Sequence, residues 1–339
     1  MKFRIHIICW LILSTIHAGA QDIHLTQFLN GPGVINPALT GNFTGNIRSG
    51  LHYRSQWYTV NAPYVTSMIW ADGKVFEERF HGDYAGIGLY IANDRSGAAS
   101  LNYLQMMTSG SYHKFIGPDK KNKLSAGIQI GFFQKSLDPS KTTFANQYLN
   151  GTFDTGIPSG ENISDFSISN FDMQAGLAYT HQMNEQLSVE GGLSAYHLNR
   201  PDQSLTGIQD ALSRRYVFHV SSEIAQSSDL NIKPSLLYMS QNEASQMNVT
   251  LLAEKKLTFD NHYSYTLLAS AGTRLGDSYF LGAGIRYGKW QGMATYDFNT
   301  SELVQATNYQ GAFEFSIIYT DRLVPGSRSI PSRRACPRM

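Results

Sequence analysis

Nucleophilic catalysis needs a hydroxyl or thiol, a base and an orienting acid brought together. Ser, His and Asp all occur in this 339-residue chain, but no spacing links them. His197, within Tyr196-His197-Leu198-Asn199-Arg200-Pro201, lies at the end of a strand-like stretch. A lone histidine there more often anchors a loop through hydrogen bonds than it ligates a metal or abstracts a proton. Asp138, Asp154, Glu161, Asn162 and Asp165 supply oxygen ligands in one long loop, the raw material for calcium. Their spacing lacks the regular ligand pattern of a calcium loop, so a solvated loop is expected. Arg54 and Trp57 are candidates for a cation–π pair, but odd spacing on a strand sends them to opposite faces, which favours separate positions. A Gly-rich phosphate loop, a CxxC pair and an HExxH helix are all absent from the sequence. The expectation is no enzyme, with no catalytic, cofactor-binding or metal-ligating residues and no cofactor.

The elements that carry these residues explain the lack of catalytic spacing. Residues 1–20 read as a secretory signal peptide: Lys2 and Arg4 precede an apolar run over 5–13, and Ala18-Gly19-Ala20 gives small-residue cleavage positions. That run is far shorter than the roughly 20 apolar residues of a spanning helix. Cleavage removes Cys9 and leaves Cys336, so no intramolecular disulfide can form, and no cysteine follows the cleavage site to carry a lipid. Cys336 is left as a thiol in an oxidising compartment, open to pairing between chains. The formal charge of +1 loses two positive side chains with the leader, so neither composition nor compartment favours nucleic acid.

No later stretch is apolar enough for a membrane helix, yet strands that alternate can cross with low mean hydropathy, here −0.26. Period-two patterning dominates. Leu124, Ala126, Ile128, Ile130 and Phe132 alternate with Ser125, Gly127, Gln129 and Gly131, with Phe133 as the exception. Leu187, Val189, Leu193 and Ala195 alternate with Ser188, Glu190, Gly192 and Ser194. Leu281, Ala283, Ile285 and Tyr287 oppose Gly282, Gly284, Arg286 and Gly288, and Phe313, Phe315, Ile317 and Tyr319 oppose Ala312, Glu314, Ser316 and Thr320. Alternation alone fits a soluble sandwich as well as a barrel. The leader, the number of strands, and aromatics near segment ends (Tyr53, Trp57, Trp70, Tyr196, Tyr287, Trp290) favour a transmembrane antiparallel barrel.

Strands are predicted near 46–60, 63–75, 84–94, 98–116, 122–135, 171–182, 186–198, 213–226, 230–241, 245–258, 262–274, 278–288, 290–299 and 308–320, about fourteen in all. The short turns at 183–185, 226–229, 260–261 and 288–289 fall on one side. The longer connections at 136–170, 199–212 and 300–307 fall on the other, as periplasmic turns and extracellular loops should. The expected layout is signal peptide 1–20, N-terminal plug or lead-in segment 21–45, transmembrane β-barrel 46–320 and a basic periplasmic tail 321–339. The lead-in either tucks into the lumen or caps its periplasmic mouth, and both termini are expected in the periplasm.

Several short motifs give the chain a family resemblance. Gln27-Phe28, Asn36-Pro37-Ala38-Leu39-Thr40-Gly41 and Tyr53-Arg54-Ser55-Gln56-Trp57 resemble the opening of the PorP/SprF family of the type IX secretion system of Bacteroidota. Ser194-Ala195-Tyr196-His197-Leu198-Asn199-Arg200-Pro201, Pro234-Ser235-Leu236-Leu237-Tyr238, Thr295-Tyr296-Asp297-Phe298-Asn299, Gly311-Ala312-Phe313-Glu314 and Cys336-Pro337 continue it in order across the mature chain. The physical reading of Asn36-Pro37-Ala38-Leu39-Thr40-Gly41 is a rigid turn, with Pro37 fixing one angle and Gly41 permitting positive φ; a plug or partner contact is the functional alternative.

The resemblance implies an outer-membrane protein that secretes, anchors or displays a surface adhesin or other cargo, in some members for gliding motility. Its implied partners are that cargo, periplasmic type IX components and outer-membrane lipid, with no nucleic acid. It favours a dedicated anchor over a core component, since such copies are numerous in these genomes. A porin-like channel for small solutes is the alternative, and small inward faces with an ordered N-terminal segment count against an open lumen.

Overall fold

The computed structural model describes residues 22–321, apart from 59–62, 81, 98, 99, 139–141, 150, 155, 159, 161–165, 260–262 and 303. The expected leader, the tail beyond Asp321 with Cys336, and the loop residues Glu161, Asn162 and Asp165 lie outside the described residues. Among the described residues the strands are β1 (Ile47–Gln56), β2 (Tyr64–Phe80), β3 (Asp83–Ser96), β4 (Leu101–Ile116), β5 (Asn122–Ser136), β6 (Tyr148–Leu149), β7 (Thr152–Phe153), β8 (Ser167–Gln182), β9 (Leu187–Tyr196), β10 (Arg215–Ala225), β11 (Leu230–Gln241), β12 (Ala244–Phe259), β13 (Tyr263–Arg274), β14 (Ser278–Tyr287), β15 (Trp290–Asn299) and β16 (Gln310–Asp321). All but β6 and β7 form one closed barrel in which each strand pairs antiparallel with its sequence neighbours. The ring shuts where β1 meets β16, from Ile47 opposite Asp321 to Gln56 opposite Ala312. Closure leaves no backbone edge unpaired, the condition for crossing lipid with strands. Every strand expected from the alternation is present, and β6–β7 is a small hairpin added within the loop between β5 and β8.

The two faces of each strand separate as the alternation demands. On β5, Ile128 and Phe132 are 63% and 61% exposed on the outer wall, while Ser125 and Gln129 are sealed inside at 0% and 1%. On β16, Phe313 and Ile317 face out and Glu314 and Ser316 face in. Among the described residues no helix is long and apolar enough to cross a membrane. Rim aromatics pair ring against ring, as Tyr265–Tyr287 and Trp290–Tyr319 do at one end and Trp57–Tyr64 at the other. Trp70 and Tyr196, expected in that girdle, instead point inward at 6% and 1% exposure and help to fill the lumen. Their aromatic character gave no clue to which side of the wall they take.

Strand directions assign each connection to an end. One end, called lower here, carries 81–82, 117–121, 183–186, 226–229, 260–262 and 288–289, all short. The upper end carries 57–63, 97–100, 137–166, 197–214, 242–243, 275–277 and 300–309, including every long loop. Asp321 closes β16 at the lower end. Asp22 lies at the upper end, hydrogen-bonding Gln241 and His197. The termini expected in the periplasm lie outside the described residues, but Asp22 and Asp321 stand at opposite ends of the barrel. The cause is that residues 22–45 run the length of the interior instead of stopping at one mouth.

Candidate functional site

The candidate site is the interior surface where residues 22–45 meet the barrel wall. At the top, Asp22 is gripped by two cations from different strands' ends. His197 places Nε2 at 2.6 Å from Asp22 Oδ2 and Nδ1 at 2.8 Å from Asp172 Oδ2, and Arg215 Nη1 lies 3.4 Å from Asp22. His197 directly follows β9 with φ of 56°, a backbone region uncommon outside glycine and held here by the two carboxylates. Burial alone pushes His197 down, but Asp22 and Asp172 override it and hold the ring up to about 9. Burial likewise pushes Asp22 up, and His197 and Arg215 reverse this, holding it below the usual carboxylate range.

One turn further along, four strands converge on Thr26 and Gln27. The Glu314 carboxylate accepts from the Thr26 and Gln27 backbone N–H groups at 2.8 and 2.9 Å. Arg54 lies between Asp297 and Glu314 at 3.0 and 3.2 Å, and it donates to Thr26 Oγ1 at 2.7 Å. Arg274 reaches the same threonine at 3.1 Å. A register shift between Asp297 and Phe298 sits beside this cluster; such bulges re-aim a side chain at a barrel rim. Because these groups are sealed from water, each charge depends on its partners to offset a desolvation cost of several kcal/mol.

Lower down, over residues 35–40, the grip is neutral and steric. Pro37 opens a single 3-10 turn, Pro37–Leu39, and the Asn36 side chain caps it by accepting from Ala38 N at 2.9 Å. The same side chain donates to the carbonyls of Leu177 and Leu193 at 3.0 and 3.3 Å. Ser194 donates to Ile35 O at 2.6 Å and Ser111 to Thr40 O at 2.6 Å. The wall can approach this closely because several of its inward positions are glycine. A Cβ at Gly127 would overlap the Pro37 carbonyl, and one at Gly176 would overlap Asn36 Oδ1. Gly41, at φ of 73°, turns the chain and donates its N–H to Asp72, which Arg48 also holds.

Apolar side chains fill the remaining space. Ile23 and Leu25 pack with Met68, Trp70 and Tyr90. Phe28, Ile35 and Leu39 pack with Tyr196, Val217 and Leu237. Hollows bordering the segment measure about 80, 20 and 10 Å3, room for a few water molecules.

The residues singled out in the sequence fare differently. Gln27, Asn36, Arg54, Ser194, His197, Asp297 and Glu314, drawn from separate motifs, meet on this one segment. His197 anchors Asp22, at the upper end of the lumen segment. Arg54 and Trp57 are apart, as their spacing implied: Arg54 is inside and Trp57 stacks edge-on against Tyr64. In the long loop, Asp154 caps a turn through Gly156 N at 2.9 Å. Among the described residues no group of three or more His, Cys, Asp or Glu is placed to hold a metal. The sequence did not single out Asp22, Asp172, Arg215, His219 or Arg274. The available signal was charge at inward positions of strands whose other face is greasy, since such charges need partners within the lumen.

Solved structures resembling this barrel include the toluene transporter TbuX of Ralstonia pickettii, 10% identical over 85% of this chain and 92% of its own, with a TM-score of 0.49. The CymD monoaromatic hydrocarbon channel is 10% identical over 86% and 92%, with a TM-score of 0.48. A FadL homologue of Pseudomonas aeruginosa is 11% identical over 84% and 92%, with a TM-score of 0.46. No curated protein matches the sequence. The profile described as type IX secretion system membrane protein PorP/SprF matches residues 17–319, nearly the whole chain. With its motifs converging inside a closed outer-membrane barrel, the chain belongs to the PorP/SprF family of type IX secretion system membrane proteins.

Proposed function

We propose that this outer-membrane barrel anchors, displays or helps to secrete a surface adhesin or other cargo of the type IX system, without catalysis of its own. The observation that carries the reading is the occupied lumen. A lumen occupied along its length by residues 22–45 leaves the long upper loops as the surface for a partner. Those loops expose apolar side chains beyond the membrane-facing belt, with Ile208 at 77% and Tyr148, Leu149 and Phe153 on the β6–β7 hairpin. Exposed apolar groups of this kind mark interaction sites. In this proposal the leader 1–20 is removed on export, the long loops face the exterior, and the tail 321–339 meets periplasmic components of the machinery. Gliding, where the cargo is a motility adhesin, follows from the same anchoring.

The test is deletion of the gene, then complementation with the intact chain or with a chain whose 142–166 loop is shortened to a tight turn. Surface display of the candidate cargo is read by antibody on whole cells. Display lost on deletion, restored by the intact chain and not by the shortened one supports the proposal. Unchanged display after deletion overturns it. Purified barrel should leave planar bilayers near their bare conductance.

A further inference from the structure

The wall gives a depth scale against which the N-terminal segment can be followed. Asp22 meets His197, Arg215 and Gln241, all at upper strand ends. Thr26 meets Arg54, Arg274 and Asp297, also in the upper part. Asn30 reaches Ser316 and His52 in the middle, and Asn36 lies between Leu177, Leu193 and His219. Gly41 is bound to Asp72 near the lower end, and Asn46 N donates to Asp321 O at 2.9 Å where β16 finishes. The descent is monotonic. Asp22 therefore stands at the upper mouth, and the spaces beside the segment, at most about 80 Å3 in the hollows that border it, are too small for a second pass of chain. The Asp22 backbone N–H, donating to Gln241 Oε1 at 3.3 Å, sets the exit beside the turn between β11 and β12.

We infer that the mature chain crosses the membrane once more than its strand number requires, threading its own lumen so that the amino end is displayed on the long-loop face. Asp22 then stands on the face opposite Asp321. The inference rests on the proposal that the long loops face outward, as outer-membrane barrels place them. It makes the N-terminal segment a topological element whose two ends lie in different compartments.

An epitope is inserted between Gln21 and Asp22 and, in separate chains, at Ile208 and between Gly288 and Lys289, with folding checked by heat-modifiable migration. On intact cells, antibody should bind the insertions before Asp22 and at Ile208, and the Gly288 insertion should be silent until the envelope is opened. A single-residue version avoids the epitope: a cysteine inserted between Gln21 and Asp22, or Lys289→Cys, each in a Cys336→Ser background, is treated with a membrane-impermeant maleimide. The first should label on whole cells and the second should not. The inference is overturned when the position before Asp22 shares the protection of the Gly288–Lys289 turn while Ile208 is accessible. Protection of Ile208 with exposure of Gly288 overturns the orientation itself. Loss of the proposed cargo role with Ile208 and the Asp22 insertion both exposed removes the functional reading alone.

Discussion

The upper and lower halves of the lumen hold the same segment by opposite means. Above, residues 22–30 are fixed by full charges, with Arg54, Arg215, Arg274 and His197 set against Asp22, Asp172, Asp297 and Glu314. Below, residues 35–40 are fixed by backbone hydrogen bonds, amide and hydroxyl donors, and glycines that let the chain lie against the wall. Buried ion pairs add little net stability against an apolar replacement but penalise a missing partner heavily, so they select one register. Neutral close packing tolerates changes of pH and salt and fails through size. The segment is thus specified electrostatically where Asp22 and Thr26 are held and sterically over residues 35–40, before Gly41 meets the Arg48–Asp72 pair.

Substitutions can break this contrast, and the largest effect belongs to the charged half. Arg54→Leu strands Asp297 and Glu314 without their shared cation, and the expected loss is about 3–5 kcal/mol, read from the urea midpoint of the barrel in detergent micelles. Retention of the wild-type midpoint would show the cluster to be solvated. In the steric half, Gly176→Leu forces a side chain into the space of Asn36 and should cost about 3 kcal/mol. Here the midpoint falls while its pH dependence is kept. Asn36→Ala removes the acceptor that caps Ala38 N and the amide that reaches the Leu177 and Leu193 carbonyls, at a cost of about 2 kcal/mol. Faster hydrogen exchange confined to residues 35–41 and the facing strands is the expected signature.

The smallest effect is a titration. The groups facing His197 are Asp22, Asp172, Tyr196 and, through Asp22, Arg215. Its folded pKa, about 9, stands above the ordinary 6.5, so the stability it supplies is complete below 6.5 and is lost as pH rises through 9. Asp22 has the opposite sign: its lowered pKa gives stability that is present above the usual carboxylate range and disappears in acid. The urea midpoint should decline between pH 7 and 9.5, modestly because Arg215 still holds Asp22, and His197→Gln should abolish that decline. An unchanged slope in His197→Gln would assign the titration elsewhere.

The outer wall was legible and the inner one was not. Leu193 and Ile128 announce their side of the sheet because each is flanked by small or polar residues, a relation between chain neighbours. Trp70 and Tyr196 carry the same aromatic character as Trp290 but face inward, where Gly50 makes room for the indole and Arg215 lies 4.1 Å from the Tyr196 ring centre. The motifs around Asn36, Arg54, His197, Asp297 and Glu314 could be read as family marks; their common purpose of seating one segment could not. Thr26 and Asp297 are 271 positions apart in sequence.

By itself the sequence determined the strands, their order and the face each turns to lipid, because alternation and turn chemistry act over a few residues and lipid accepts only a closed ring. Only the tertiary structure decided what fills that ring, which charges neutralise one another and at which mouth Asp22 stands. Those depend on how closure and stagger bring distant strands around a common axis, a geometry that no local pattern encodes.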